Sequence, residues 1–129
     1  MSKTFTISEL AKEFAVTTRT IRHYEEIGLL SPRRSGQNRI YSAADRTRLK
    51  LILRGKRLGF TLEESRAIVE MYDPEHGNVE QLQRLLDRIH AQRAKLKAQL
   101  DDIRKLMRDL DEAEQGCLEA LDKAKASTD

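Results

Sequence analysis

Five polar side chains stand close together early in the chain: Thr17, Thr18, Arg19, Arg22 and His23. Placed on one helix, they offer the donors and cations that read base edges and phosphates in a DNA major groove. A second basic cluster, Arg33, Arg34 and Arg39, encloses Gln37 and Asn38 and suits the sugar-phosphate backbone or the minor groove. Lys56 and Arg57 form a third. For each arginine the competing reading is a solvated surface charge. The chain has no phosphate-binding glycine loop, no nucleophile beside a base and no paired carboxylates with a plausible pocket, so it is not expected to be an enzyme. The single cysteine, Cys117, excludes a disulfide framework within the chain and any all-cysteine metal site built by one copy. His76, beside Asp73 and Glu75, reads as a linker histidine, and His90 as a rim residue. Neither completes a metal-ligand set with Cys117, and no cofactor or metal is expected.

The scaffold that must hold these side chains is mostly helical. Its 129 residues suit about one domain. Charged residues are 35% and aromatics 5%, which disfavours a β-sandwich or barrel and suits helices with solvated faces. The net charge of +3 conceals a division. Residues 1–72 hold 14 Lys+Arg against 8 acids, whereas 73–129 hold 10 against 13. Within 33–57 there are nine cations and one acid, Asp45. A basic module joined to an acidic one points to nucleic acid on the first half. A basic surface for an acidic protein is the alternative. No apolar run approaches the roughly 18–20 residues of a membrane span. The start, Met1-Ser2-Lys3-Thr4-Phe5, has no apolar signal core, so a cytoplasmic protein is expected.

Helix starts are legible from cap spacing. Thr6 and Glu9 form a capping box, followed by Ile7, Leu10, Ala11 and Phe14 on one face. Ala15-Val16-Thr17 is a tight turn, and Thr17 caps a second helix to about Ile27, with Ile21, Tyr24 and Ile27 inward and Gly28 as its left-handed stop. Residues 31–41 read as a small β-hairpin. Ser42 and Asp45 open a third helix through about Arg57, burying Leu49, Ile52 and Leu53. Thr61 and Glu64 open a fourth to about Tyr72, burying Leu62, Ile68, Val69 and Tyr72.

Beyond the linker around Pro74 and Gly77, one heptad series runs Leu82, Ile89, Leu96, Ile103, Leu110, Cys117. A second runs Leu86, Arg93, Leu100, Met107, Glu114, Leu121. Together they form a coiled-coil seam on a helix from about Val79 to Gln115, with Arg93 and Glu114 as polar interruptions. So long a stripe finds no second long helix in the chain, and another copy is the simplest supplier, so a homodimer is expected. The tail, 122–129, is expected to be disordered.

Two short helices, a three-residue turn and a hairpin describe a winged helix-turn-helix. The segments Thr6–Ala11, Thr20–Leu30, Arg39–Ser42 and Leu58–Glu64 resemble, in order and spacing, the MerR-type transcriptional regulators. The resemblance covers residues 5–72, and the long helix is similar to that family's dimerisation helix. His23-Tyr24 departs from the family's pair of aromatics. The resemblance implies Arg22 and Tyr24 as backbone clamps, with a core reading beside it for Tyr24. It implies Arg39 and Tyr41 as anchors of the wing, Tyr41 divided between packing and DNA, and Lys56 and Arg57 near phosphate. Arg19 is the candidate for base reading. It further implies a winged helix-turn-helix domain over 1–73 and a linker with an antiparallel dimerisation helix over 74–121. A dimer on a near-palindromic promoter operator would distort the DNA for RNA polymerase, with a small-molecule effector unknown. The 13 residues after Gly116 are too few for the ligand-binding domain of larger members, so none is expected. Arg54–Phe60 and Met71–Pro74 resemble the branch that controls leucine, isovalerate and acyl-CoA breakdown. A metal- or thiol-responsive sensor using Cys117 and a coiled-coil adaptor that does not bind DNA are the alternatives.

Overall fold

Each of the first four helices opens on a hydroxyl. In the computed structural model, which describes residues 3–127, Thr6 caps α1 (Ile7–Phe14). Its Oγ1 accepts from the Glu9 amide at 3.1 Å, and the Glu9 carboxylate accepts from the Thr6 amide at 2.8 Å. Thr17 caps α2 (Thr18–Glu26), Ser42 caps α3 (Ala43–Leu58) with Asp45 as return partner, and Thr61 caps α4 (Leu62–Glu70) with Glu64. Such caps are worth ~0.5–2 kcal/mol over alanine and need only three neighbouring residues, which is why spacing alone locates them.

The turn between α1 and α2 is the expected Ala15–Thr17, with Ala15 left-handed at φ 55°. At the other end of α2, Gly28 takes φ 81°, and the Leu29 amide returns to the Tyr24 carbonyl at 2.9 Å. A side chain at Gly28 would be strained by that φ. The reversal carries Leu29 and Leu30 into the core beside Leu10, Ile21, Tyr24, Tyr41, Leu49, Ile52 and Val69.

Three short strands follow the order β1-β3-β2, both pairings antiparallel: β1 (Thr4–Phe5), β2 (Arg33–Ser35) and β3 (Asn38–Ser42). The hairpin of β2 and β3 matches the expectation. The addition of β1, pairing Phe5 with Tyr41, does not follow from the sequence, because two residues show no alternation. It matters, because it ties the wing's long strand to the start of α1.

The close approach of α3 and α4 depends on Gly55. A Cβ there would lie 2.6 Å from Ser65 Oγ and 3.3 Å from Phe60 Cδ2. Between α4 and the last helix, Asn78 closes a small loop on Asp73. Its Oδ1 accepts from the Asp73 amide and its Nδ2 donates to the Asp73 carbonyl, both at 2.7 Å.

The last helix, α5, runs Val79–Ser127. By packing, the chain divides after Ile89 into two units. The first contains all eleven apolar side chains that are buried among the described residues. Its share of α5 contributes the buried Gln81 and an ion pair between Arg88 Nε and Glu64 Oε2 at 2.5 Å. In the second, among the described residues, every residue is exposed except the half-buried Gln92.

Four expectations need correction. Leu62 is not buried but 42% exposed, because as the first residue of α4 it faces outward beside Lys56. Leu53 is only half-buried against the core, whereas Ile27 turns inward as expected and packs there half-buried. Tyr72 follows the end of α4 and is half-buried under Arg48, whose guanidinium lies 5.6 Å from its ring centroid. The helix expected to stop near Gln115 continues through Gly116 and through 122–127 of the expected tail. A helical glycine costs only about 1 kcal/mol relative to alanine, and the Ala, Leu, Glu and Lys around it favour helix. Met1, Ser2 and the last two residues of the tail lie outside the described residues.

Candidate nucleic-acid interface

The outer face of α2 is built by its capping and packing. Ile21 and Tyr24 are drawn into the core, which turns Arg19, Arg22 and His23 outward, all exposed. Thr17 is committed to the cap: its Oγ1 accepts from the Thr20 amide at 3.1 Å and lies 2.9 Å from Thr20 Oγ1. Thr18 Oγ1 accepts from Arg22 Nη2 at 3.2 Å, which fixes Arg22 along the helix. The amide end of α2 adds a partial positive charge, favourable to phosphate.

The wing's cations divide in two. Arg33 is exposed. Arg34 and Arg39 both turn back onto Glu25 of α2, at 3.1 Å to Oε1 and 2.6 Å to Oε2. Further along, Arg46 pairs with Glu13 in a short contact, and Arg48 pairs with Asp45 at 3.5 Å. The Arg46 guanidinium holds the Glu13 carboxyl below its ordinary range. Four of the nine cations in 33–57 are therefore engaged internally, and the basic stretch offers solvent less charge than its composition suggests. Lys56 and Arg57 are exposed in the last turn of α3. Lys56 and His23 meet at an open cavity of about 260 Å³ between α2, α3 and α4, floored by Tyr24, Ile52 and Phe60.

Two tyrosines lie elsewhere than the surface. Tyr41 is 0% exposed, and its hydroxyl is enclosed with no hydrogen-bond partner among the described residues. Its contact with DNA is withdrawn: a ring between β1, β3 and the core cannot meet a duplex while the sheet is intact. Tyr24 is 5% exposed, so its core reading stands, with its ring tilted against His23 at 5.9 Å. Burial pushes both phenols above their ordinary pKa; for Tyr41 the Glu25 carboxylate adds to this and Arg39 opposes it.

Two positioning residues were missed. Glu25 stood inside the Thr20–Leu30 segment with no role assigned; the signal was an acid pair, Glu25-Glu26, ending a helix whose first part is cationic. Arg66 of α4 donates from Nη2 to the Ile27 carbonyl at 2.7 Å, supporting the C-terminal end of α2. Its sequence neighbourhood gives no hint, because the contact spans 39 positions.

A capped helix pair with an exposed polar second helix, flanked by a hairpin wing and a basic helix end, defines a DNA-binding helix-turn-helix regulator. Comparison with known proteins agrees. Residues 5–72 match the model of the MerR HTH family regulatory proteins, and 46–113 match a second model described as MerR, DNA binding. The chain belongs to the MerR family of DNA-binding transcriptional regulators, which are not enzymes. It is 38% identical over 68 residues to the HTH-type transcriptional regulator HmrR of Rhizobium leguminosarum, covering 52% of this chain and 53%, about half, of that protein. It is 34% identical over 109 residues to the regulator ZntR of Escherichia coli K12, covering 79% of this chain and 77% of that protein. A MerR-family regulator from Bacillus cereus matches its structure with TM-score 0.63 at 33% identity, over 85% of this chain and 79% of that one. Among the described residues no helix is long and apolar enough to cross a membrane.

Proposed function

We propose that the protein acts as a homodimer on a near-palindromic promoter operator. Each copy places one α2 in a major groove, and the pair distorts the DNA between promoter elements for RNA polymerase. The observation that carries this reading is the uncovered seam. In the second unit Leu96, Leu100, Ile103, Met107 and Leu110 repeat at four and three residues and are each 45–64% exposed. In the first, Leu82 and Leu86 are 52% and 46% exposed, and Ile89 is half-buried. An apolar stripe of that period is stable in water only against a partner of the same kind. A second copy supplies it, antiparallel as the family resemblance implies.

On this reading Arg19 reads a base edge and His23 lies beside the groove. Thr17 fixes the helix start, Thr18 holds Arg22, and Arg22, Arg33, Lys56 and Arg57 contact phosphate. Arg39, Tyr24 and Tyr41 act from behind, by holding the wing and α2 in place. The domain division follows the same logic, with DNA reading in 1–73 and pairing on the helix beyond. Sedimentation at micromolar concentration, with footprinting on a duplex selected from a random pool, tests it. The expected result is a dimer protecting two half-sites whose centres lie about one or two helical turns apart. A monomer protecting a single site overturns it.

A further inference from the structure

Glu25 is an acid on the helix that faces DNA, and both of its oxygens are occupied by wing arginines. Oε2 holds Arg39 Nε at 2.6 Å and Oε1 holds Arg34 Nη2 at 3.1 Å. Those two arginines are direct cross-strand partners in the hairpin. Like charges placed so repel, and a carboxylate shared between them removes the repulsion. The two pairs differ in enclosure. The Arg39 side chain is 23% exposed and that of Arg34 is 56% exposed, with Glu25 itself at 18%. The inner pair is the more persistent, and the outer one is open to exchange with a passing anion.

Resting on the reading that this face meets a duplex, we infer that Glu25 is a specificity-determining residue. It withholds the two wing arginines from the phosphates of unrelated DNA and yields Arg34 only where a docked duplex brings a phosphate into its place. Non-specific affinity is almost wholly counterion release and grows with the number of free cations. A guanidinium already neutralised by a carboxylate adds little to it. A duplex seated by base contacts of α2 holds its backbone beside the wing long enough for phosphate to replace the carboxylate at Arg34. The exchange then contributes to the cognate complex alone.

The test measures binding of Glu25→Gln to two duplexes over a range of salt: one selected by the wild-type protein from a random pool, and one of unrelated sequence. The unrelated duplex is expected to bind about tenfold more tightly or better, with a salt slope steeper by ~1–2. The selected duplex gains less, so the ratio of the two falls. Glu26→Gln removes the same charge from an exposed neighbour that forms no ion pair among the described residues, and should leave the slope unchanged. Adding Arg34→Gln and Arg39→Gln to Glu25→Gln should return the slope to the wild-type value. Arg34→Gln alone, which leaves the inner pair intact, should weaken only the selected duplex. Equal weakening of both duplexes by Arg34→Gln, or an unchanged slope in a folded Glu25→Gln, overturns the inference. If the wild-type protein enriches no sequence and binds without salt dependence, it is the DNA reading itself that fails.

Discussion

The residues through Ile89 and those from His90 onward meet the same requirement, covering an apolar stripe, in opposite ways. The first unit folds its stripes onto one another. Leu10, Ile21, Leu49 and Tyr41, from three helices and a strand, reach 0% exposure. The second carries a stripe as regular as any of these and leaves Ile103 56% and Leu110 64% exposed. The difference lies in what lies within reach. Short helices joined by turns can find partners in their own chain, whereas one long helix cannot fold back on itself. The first unit covers its stripes by folding; on the proposed reading, the second covers its own by association.

The strongest way to break this comparison is to charge the seam. Leu96→Asp with Ile103→Asp should give monomers by sedimentation and cost about 10²–10⁴-fold in binding to a selected duplex, the usual loss when two linked contacts become one. An unchanged dimer would show that the stripe is not the interface. Next comes a matched pair of truncations. Leu49→Ala should lower folding stability by ~2–5 kcal/mol in urea titration, because it opens a cavity in a closed core. Leu100→Ala should instead weaken dimerisation on dilution and leave melting of the first unit alone. Similar melting effects for the two would erase the distinction.

A smaller effect is expected at the α3–α4 contact. Gly55→Ala should destabilise by ~1–3 kcal/mol through overpacking on Ser65 Oγ, partly offset by better helix propensity. Ser65→Ala in the same chain should restore much of the loss, because it removes the atom that a Cβ would strike at 2.6 Å. Additive effects would place the strain elsewhere. The smallest effect concerns acid. Arg46 holds the Glu13 carboxyl low, and the Glu75 amide with His76 does the same for Asp73. Groups with a depressed folded pKa contribute stability above the ordinary carboxylate range and lose it as pH falls through the depressed values. Melting temperature should therefore decline slightly below about pH 4, and less in Glu13→Gln than in the wild type. An identical decline in both would remove Glu13 from the account.

Much of the fold could be read from residues a few positions apart. Thr6, Thr17, Ser42 and Thr61 announce four helices, and Gly28 and Gly59 end two of them, because caps and stops are local devices. The exposed set on α2 was legible for the same reason: once Ile21 and Tyr24 point inward, the helical repeat fixes where Arg19 and Arg22 point. The long-range partners were not legible. Nothing near Arg39 shows that it will meet Glu25, 14 positions away, or that Arg46 will meet Glu13, 33 positions away. In the Arg54–Phe60 segment the packing role of three residues emerged only from the fold. Gly55 admits Ser65, Phe60 fills the junction of α3 and α4, and Gly59 closes α3.

The sequence by itself determined where helices start, which stripe is apolar, that the basic charge lies in the first half, and the family to which the chain belongs. These depend on short spacings and on residue type. Only the tertiary structure decided which of the cations remain available to a duplex, because ion pairing is a matter of distance across the fold. It settled Tyr41 in the core, added β1 to the wing and showed Glu25 between two arginines. The physical reason is the same in each case. Propensity and periodicity act along the chain, whereas desolvation and charge neutralisation act through space, between residues that the chain order keeps apart.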